Sequence, residues 1–285
     1  MKKYIKLIRL DKPTGIFLLF WPCTWGLAIG SVGISSDLVF YKYLLLFFIG
    51  SILMRSAGCV YNDIVDRKID IKVKRTKERP IAKGTVSVGS SWLIILVLIF
   101  FSLIILAQFN LNSIIFGLSS GVLVALYPFM KRITYWPQLF LGITFNWGVI
   151  LGWLVLGNEF SLTPMALYAS AIFWTLGYDT IYGMQDIKDD IKIGVKSTSI
   201  KFEKKIKSFL LFCYLASIIL LLVSLALMNA NFALYGLAIL SSSVLFFQIH
   251  AYDKKKPEKN SKLFALNNYY GLSVFLTLML TINHG

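Results

Sequence analysis

The sequence predicts an all-α polytopic membrane protein with a single domain over residues 1–285. The first observation is composition, because 57% of the residues are hydrophobic and only 15% are charged. The second is that many apolar segments approach or exceed the ~18 residues that suggest a membrane-spanning helix. The third is that basic residues cluster in alternate connections between these segments. We expect about nine transmembrane helices in one bundle with a central apolar cavity.

Hydropathy places the spans, and charge orients them. The predicted spans lie at roughly 14–33, 38–61, 89–108, 111–130, 137–157, 162–183, 208–229, 231–251 and 263–283. Lys and Arg cluster at 2–12, 67–83, 131–132, 188–207 and 254–262. Neither residue occurs in the connections near 31–38, 109–113, 158–161 and 229–231. By the positive-inside rule, the N-terminus and every basic connection are expected in the cytoplasm.

Charge and cysteine usage narrow the class of protein further. A net charge of +15 does not predict a nucleic-acid partner, because the basic residues occupy loops that flank the membrane. Cys23, Cys59 and Cys213 lie in apolar segments without metal-like spacing and are expected to be core residues. The N-terminus lacks the cleavage site of a signal peptide and the Arg/Ser-rich pattern of a transit peptide. We therefore expect a bacterial inner membrane, with the oligomeric state left open.

An acidic stretch at the end of the second span is the first candidate site. Asn62, Asp66 and Asp70 follow at i, i+4 and i+8, within about 12 Å of helix axis on one face, and Asp63 lies beside them. Carboxylates crowded on one face repel one another unless a cation lies between them. A hard divalent cation that also binds phosphate oxygens suits this arrangement. A solvated helix end is the alternative for a single patch of this kind.

A second acidic stretch, at the end of the sixth span, favours the site over a solvated helix end. Its polar residues lie at offsets 0, 7 and 11, which return to within ~20° of one line on a helix. A deep Arg and a deep Asp are costly in lipid and are expected to face the bundle interior. The same offsets hold for two sets of residues: Arg55, Asn62 and Asp66, and Asp179, Asp186 and Asp190.

Basic residues in nearby loops are candidate phosphate ligands. Arg75 and Arg79 follow the first acidic stretch and could hold a phosphate by forked hydrogen bonds, although anchoring to anionic headgroups is the alternative. Two acidic clusters ringed by Arg and Lys fit a diphosphate held through Mg²⁺. The chain also contains 22 Phe, 14 Tyr and 7 Trp. The rest of the substrate is therefore expected to be hydrophobic, with aromatic faces that stabilise an allylic cation.

The motif Asn62-Asp63-x-x-Asp66-x-x-x-Asp70, with the later Asp186-x-x-x-Asp190, resembles that of the intramembrane aromatic prenyltransferases. The resemblance covers nearly the whole chain. It implies Mg²⁺-dependent transfer of a polyprenyl chain from its diphosphate to the ring carbon ortho to the phenol of 4-hydroxybenzoate, in ubiquinone biosynthesis. Flanking runs are similar to those of the branch that uses this acceptor: 11–15, 54–59, 127–132, 178–180 and 189–198.

The resemblance also implies a role for each candidate residue. Arg55 is expected to bind the benzoate carboxylate, and Asp179 to orient the phenol or a basic residue. Tyr127 is expected to line the substrate site together with Lys131. Metal and diphosphate would be carried by Asp63, Asp66, Asp70, Asp186 and Asp190, with Asn62 as an orienting or metal-bound group. Phosphate would also be held by Arg75, Arg79, Lys131 and Lys192.

Two other functions are compatible with these residues. Within the prenyltransferases, the acceptor could instead be homogentisate, a dihydroxynaphthoate, a porphyrin or a chlorophyllide. From a different class, an organic-anion or lipid-diphosphate transporter also uses Arg and Asp inside the membrane. The two acidic helices run in the same direction across the membrane, a parallel relation that disfavours the inverted repeats of many transporters. The sequence does not specify the length of the prenyl chain.

Overall fold

The computed structural model describes residues 2–32, 36–254 and 256–281 of the chain. Within these residues the regular structure is entirely helical, without a strand, as the sequence predicts. Short 3-10 turns at Tyr127–Phe129 and Glu203–Lys205 precede α6 and α12. The helices are α1 (Lys2–Leu7), α2 (Thr14–Gly30), α3 (Asp37–Asp70), α4 (Val88–Leu106), α5 (Leu111–Leu126), α6 (Met130–Ile133), α7 (Pro137–Phe145), α8 (Trp147–Leu154), α9 (Leu162–Gly183), α10 (Ile187–Ile193), α11 (Thr198–Lys201), α12 (Ile206–Leu227), α13 (Phe232–Ser241), α14 (Ser243–Ala251) and α15 (Pro257–Met279).

Polar side chains at the predicted boundaries start several of these helices. The side chains of Ser87, Asn110 and Asn231 accept hydrogen bonds from backbone N–H groups three residues further on, at 3.1, 2.9 and 3.2 Å. Each bond satisfies an N–H that has no partner within its own helix. At the other end of α10, Gly194 adopts a φ of +79°, a left-handed conformation that ends the helix without a side-chain penalty.

Each predicted span overlaps one helix or one pair of consecutive helices, but their apolar character differs. In α2, 17 residues form a shorter apolar helix, whereas α9 and α15 are long enough to span but more polar. Position 33 of the first predicted span and positions 282–283 of the ninth lie outside the described residues. Among those described, six segments are long and apolar enough to cross a membrane: Asp37–Asp70, Val88–Leu106, Leu111–Ile133, Pro137–Leu154, Glu203–Leu227 and Phe232–Ala251.

Buried hydrogen bonds explain the lower hydropathy of α9 and α15. Trp174 of α9 donates through Nε1 to Asn267 Oδ1 of α15 at 2.8 Å, and Gln248 Nε2 of α14 donates to the same oxygen at 3.1 Å. All three residues are buried. Polar groups that are satisfied between helices lower the mean hydropathy of a segment without exposing it to lipid.

Glycines allow α2 and α8 to pack with their backbones in contact. A Cβ at Gly26 would lie 1.8 Å from the carbonyl oxygen of Val149, and one at Gly152 would lie 2.3 Å from that of Cys23. Gly148 precedes Gly152 by one helical turn and lies against the same cysteine. This spacing of small residues is typical of closely packed membrane helices, where van der Waals contact replaces hydrophobic burial.

Gly26→Ala is therefore expected to destabilise the protein by about 1–3 kcal/mol, because the added methyl group overlaps the backbone of α8. Thermal denaturation of the purified protein in detergent measures this loss of stability. Gly89→Ala is the matched control, since a Cβ at Gly89 of α4 has no heavy atom within 4 Å. Equal stability of the two variants would contradict the close packing of α2 on α8.

A buried asparagine interrupts one predicted span and connects it to α9. Asn146 lies between α7 and α8, where its Nδ2 group donates to Gly142 O at 2.7 Å, Ala171 O at 3.1 Å and Thr175 Oγ1 at 2.8 Å. The last two acceptors belong to α9, so the break in the helix fixes α9 against this pair.

A small hydrophobic cluster lies apart from the main core, at the end of α3. It joins the N-terminal segment and the connection after α3 to α3 and α4, and its buried members are Leu7, Val60, Ile64, Ile81, Val86 and Ile95. The large aromatic side chains Trp25, Trp174 and Tyr214 belong to the other, larger core of the bundle. The N-terminal segment therefore packs on α3 independently of the bundle core.

Candidate active site

The acidic end of α3 and the acidic residues that follow α9, at the start of α10, line a common cavity of about 170 Å³. Residues more than one hundred positions apart in the sequence face one another across this cavity. This cavity, the smaller of two, is lined by five of the predicted metal-binding residues: Asn62, Asp66, Asp70, Asp186 and Asp190. Asp179 and Tyr127 line it as well. Asp63 is the one predicted metal ligand that does not line it.

A second cavity, of about 1460 Å³, adjoins the smaller one and leads into the bundle. The two share lining residues, among them Asn62, Arg75, Arg79, Tyr127 and Asp179. Away from this shared region the wall becomes apolar, with side chains from α3, α4 and α5 that include Phe47, Ile99, Leu106 and Leu118. The smaller, polar cavity is therefore the mouth of the site, and it opens into an apolar chamber that suits a long hydrocarbon chain.

Basic side chains neutralise most carboxylates of the mouth. Arg79 Nη1 lies 2.9 Å from Asp70 Oδ2. Lys131 pairs with Asp66, whose other oxygen lies 3.4 Å from Arg132 Nη2. Asp66 and Asp70 are both buried. A buried carboxylate needs such a partner, because the cost of removing it from water is otherwise not recovered.

Arg75 crosses the mouth from the loop after α3 to the end of α9. Its Nε donates to both oxygens of Asp186, at 2.9 and 3.0 Å, and its Nη1 donates to the hydroxyl of Tyr182 at 2.9 Å. Burial opposes the charged form, yet the hydrogen bonds to Asp186 raise the pKa of the Arg75 guanidinium above its usual value. Arg75 is therefore a permanent cation between the two acidic helices.

Asp190 differs from the other carboxylates of the smaller cavity. Burial, followed by repulsion from Asp186, raises its pKa to about 7. In the described part of the chain its side chain has no ion pair. Without a bound cation, Asp190 is therefore partly protonated at neutral pH, and a cation in the cavity would favour its charged form.

Arg55 lies deeper, in the wall of the larger cavity only. Its Nη1 donates to Cys59 Sγ at 2.7 Å, and its guanidinium carbon lies 5.5 Å from the centroid of Phe145. Its Nε is buried and has no hydrogen-bond partner among the described residues. Gly15 leaves the space that the guanidinium occupies, since a Cβ there would lie 2.5 Å from Nε. No ion pair joins Arg55 to Asp179 in the described ranges.

The structure adds residues that the sequence-based set did not include. Lys192 is exposed and lines neither cavity, whereas Lys196, four residues later, lines the smaller one. Arg9 donates to both oxygens of Asp63 at 2.9 and 2.8 Å, although only its place in a basic segment marked it in the sequence. Arg132 pairs with Asp66 from the short helix α6, which also carries Lys131.

The donors of the smaller cavity suit Mg²⁺ in their chemistry. They are carboxylate and amide oxygens, which hard divalent cations prefer, and they come from two separate helices. In the part of the chain that is described, no three His, Cys, Asp or Glu side chains are close enough to ligate one ion. The reason is that Arg and Lys side chains hold the carboxylates of Asp66, Asp70 and Asp186.

Comparison with known proteins defines the class to which this bundle and its acidic mouth belong. The model of the UbiA prenyltransferase family matches residues 19–275, and the chain belongs to this family. A 4-hydroxybenzoate polyprenyltransferase, mitochondrial, of Drosophila pseudoobscura pseudoobscura is 40% identical over 281 residues, which cover 98% of this chain and 70% of the relative. The protein of the same name from Arabidopsis thaliana is 41% identical over 281 residues, which cover 98% of this chain and 69% of that relative.

Solved structures share the fold. The apo structure of a UbiA homolog from Aeropyrum pernix K1 matches with a TM-score of 0.78 at 21% identity, over 93% of this chain and 97% of that one. A UbiA homolog from Archaeoglobus fulgidus bound to DMAPP and Mg²⁺ matches with a TM-score of 0.70 at 19% identity, over 96% and 99%. The predicted all-helical bundle is therefore confirmed as the fold of this family.

The relatives also correct one prediction, that of a bacterial inner membrane with the mouth at its cytoplasmic face. The named relatives that match nearly the whole chain are mitochondrial proteins. They point to a mitochondrial membrane. The prediction was wrong because hydropathy and the positions of basic loops report spans and orientation, and not which membrane contains the protein.

Proposed function

We propose that this protein transfers a polyprenyl group from polyprenyl diphosphate to the ring of 4-hydroxybenzoate, ortho to the phenol, in ubiquinone biosynthesis. The names of relatives about 40% identical over nearly the whole chain support this acceptor. One observation in the structure carries the proposal: two acidic helix ends meet at a cavity that adjoins a large apolar chamber. That arrangement separates a charged leaving group from the hydrocarbon chain attached to it.

Mg²⁺ is the proposed cofactor, and the structure of a family member bound to DMAPP and Mg²⁺ supports it. Asn62, Asp66, Asp70, Asp186 and Asp190 would hold the metal. When bound, Mg²⁺ neutralises the charge that develops on the departing diphosphate. Asp63 has a different environment, because it pairs with both Arg9 and Arg79.

The basic residues of the mouth would bind the diphosphate oxygens directly. Arg75 and Arg79 offer planar, forked donors between the two acidic helices, and Lys131 adds a cation from the loop after α5. Lys192 remains a predicted phosphate ligand, with Lys196 nearer to the cavity. Arg75, Arg79 and Lys131 hold carboxylates in this structure and would exchange them for phosphate oxygens. The site thus remains neutralised in both states, which avoids a buried excess charge.

The acceptor would bind deeper than the diphosphate, where Arg55 and Asp179 line the larger cavity. Arg55 would pair with the benzoate carboxylate, and Asp179 would orient the phenol. In the reaction the bond between the allylic carbon and the diphosphate oxygen breaks, and a bond from that carbon to the ring forms. The ring carbon then loses its proton, which restores aromaticity. Apolar and aromatic walls exclude water from the allylic cation during these steps.

A direct assay tests the proposed function. Membranes that contain the protein are incubated with a polyprenyl diphosphate, Mg²⁺ and a panel of aromatic acceptors, and the products are identified by mass. We expect a prenylated 4-hydroxybenzoate that is absent when chelator is added. If a product forms only from homogentisate, a dihydroxynaphthoate or a porphyrin, the proposed acceptor is wrong. The proposed prenyl-transfer reaction would still hold.

We also propose that the protein crosses the membrane nine times, with the N-terminus and the basic loops on the same side as the acidic mouth. The segments that support it are the six apolar spans, the shorter apolar α2, and the interior helices α9 and α15. The absence of Lys and Arg from the connections on the other side supports the orientation.

Cysteine labelling in membrane vesicles of one orientation checks this topology. In a variant without the native cysteines, Lys77→Cys and Lys204→Cys are expected to react with an impermeant thiol reagent from one side, and Glu159→Cys from the other. The physical reason is that basic loops are retained on one side of the membrane during insertion. Reaction of Lys77→Cys and Glu159→Cys from the same side would contradict the proposed span count.

A further inference from the structure

The helix α3 carries a second polar stripe beside the one that lines the mouth. Ser56, Asp63 and Asp70 are seven residues apart, so they lie near one line along the helix. This stripe is rotated by about 100° from Arg55 and Asn62, each of which precedes one of its members by one position. Each residue of the stripe has a partner outside α3, and those partners connect the N-terminal segment to the loop after α3.

The partners of this stripe form a continuous chain of contacts. Ser56 Oγ donates to the backbone oxygen of Ile8 at 3.1 Å. Arg9 binds both oxygens of Asp63 through Nη2, at 2.9 and 2.8 Å. Arg79 Nη1 lies 3.1 Å from Asp63 Oδ1 and 2.9 Å from Asp70 Oδ2. Asp63 therefore connects Arg9 to Arg79, the residue that reaches the mouth.

Because these ion pairs are buried, the loss of one partner affects the others. The side chain of Asp63 is 2% exposed, and those of Arg9 and Arg79 are 19% and 20% exposed. A buried carboxylate that loses one of two cationic partners draws more strongly on the other. Without Arg9, Asp63 would therefore hold Arg79 more tightly, and Arg79 would be less able to exchange its carboxylates for phosphate oxygens.

The backbone at Arg9 indicates that its guanidinium is held against a conformational cost. Its φ is +59°, a left-handed conformation that residues other than glycine rarely adopt. The conformation persists because Arg9 Nη2 binds Asp63 while its Nη1 donates to Lys6 O at 2.7 Å. Leu7, which is fully buried in the small hydrophobic cluster, fixes the segment two residues earlier.

We propose that Arg9 is a positioning residue for the diphosphate site. By sharing Asp63 with Arg79, Arg9 leaves Arg79 able to exchange its carboxylates for phosphate oxygens at the mouth, and Asp63 serves this connection and is not a metal ligand. The ligand concerned is a metal-complexed diphosphate, which Arg9 itself need not touch. This inference rests on the proposed function, because it assumes that the mouth binds such a ligand.

Substitutions at position 9 separate the guanidinium from the backbone turn. Arg9→Gln removes the charge and retains a side chain, whereas Arg9→Gly removes the guanidinium and relieves the left-handed backbone. Arg9→Lys keeps the charge but cannot donate two hydrogen bonds in the same geometry. Lys2→Gln is the matched control, since it removes one positive charge from the same segment at a side chain without a partner among the described residues.

The measurement is binding of inorganic diphosphate in the presence of Mg²⁺ to the purified full chain in detergent, by calorimetry. We expect Arg9→Gln and Arg9→Gly each to weaken binding about tenfold, Arg9→Lys to recover part of the loss and Lys2→Gln to bind as the wild type. In the assay, Arg9→Gln is expected to raise KM for the prenyl diphosphate and to leave KM for the acceptor unchanged. Amide exchange within residues 76–84 is expected to decrease in Arg9→Gln without ligand, because Asp63 then holds Arg79 more tightly.

Each other outcome has a defined meaning. Wild-type affinity in Arg9→Gly would overturn the proposal, because position 9 would then serve only the turn of the chain. Wild-type affinity in Arg9→Gln, or an equal rise in both KM values, would overturn it as well. Failure of the wild-type protein to bind inorganic diphosphate with Mg²⁺ would contradict the proposed function instead.

Discussion

Asp66→Asn and Asp190→Asn are each expected to lower the rate of prenyl transfer by about 10²–10³-fold, because each removes a charge that stabilises the metal–diphosphate complex. The two residues come from α3 and α10 and line the same small cavity. The amide that replaces each carboxylate has a similar volume, so the bundle is expected to insert and fold. The rate is measured in membranes with a saturating prenyl diphosphate across a series of Mg²⁺ concentrations.

Asp37→Asn is the matched control for these variants. Asp37 is exposed at the start of α3, at the opposite end of the helix from Asp66, and its substitution is expected to leave the rate unchanged. Full turnover by the Asp66→Asn/Asp190→Asn double variant would refute the metal site. Turnover of the wild-type protein in excess chelator would refute it independently of any substitution.

Arg55→Ala is expected to raise KM for 4-hydroxybenzoate about a hundredfold, because it removes a buried cation from the proposed carboxylate site. KM for the prenyl diphosphate is expected to change little. The reason is position: Arg55 precedes Asn62 by seven residues, or about 10 Å along the helix, on the membrane side of the mouth. Its buried Nε, without a partner among the described residues, is available to a ligand.

Two comparisons distinguish recognition of the carboxylate from support of the fold. With 4-hydroxybenzamide, which has the same ring but no anionic group, the wild type and Arg55→Ala are expected to differ far less. Arg67→Ala, which removes an exposed arginine of the same helix, is expected to behave as the wild type. A fall in protein yield with equal effects on both substrates would assign Arg55 to structure. The same result would favour an ion pair between Arg55 and Asp179, which is not among the contacts of the described residues.

Much of this protein follows from local patterns in its sequence. Hydropathy and the alternation of basic connections predict a helical membrane bundle, because both depend on a few neighbouring residues at a time. The matching offsets of Arg55, Asn62 and Asp66 with the later acidic residues predict two helices with similar polar faces, but the structure ends α9 at Gly183 and places the last two acidic residues at the start of and within α10. Such a prediction is available because the period of a helix is constant along the chain.

Other predictions from the sequence placed side chains less well, since they depend on which elements meet. Lys192 lies in α10 and Lys196 follows its end, and only the path of the chain after Gly194 decides that the second lines the cavity. The break at Asn146 arises from acceptors on α9, more than 20 residues away. Hydropathy alone predicted one uninterrupted span there.

The clearest contrast lies between neighbouring residues of a single motif. The sequence alone identified Asn62, Asp63, Asp66 and Asp70 as an acidic helix end suited to a metal and a diphosphate. Only the tertiary structure separated Asp63 from the others, because one position along a helix rotates a side chain by about 100°. Which partner a side chain then meets depends on the neighbouring element. For Asp63 that partner is Arg9, 54 residues earlier in the chain, and no periodicity within α3 could reveal it.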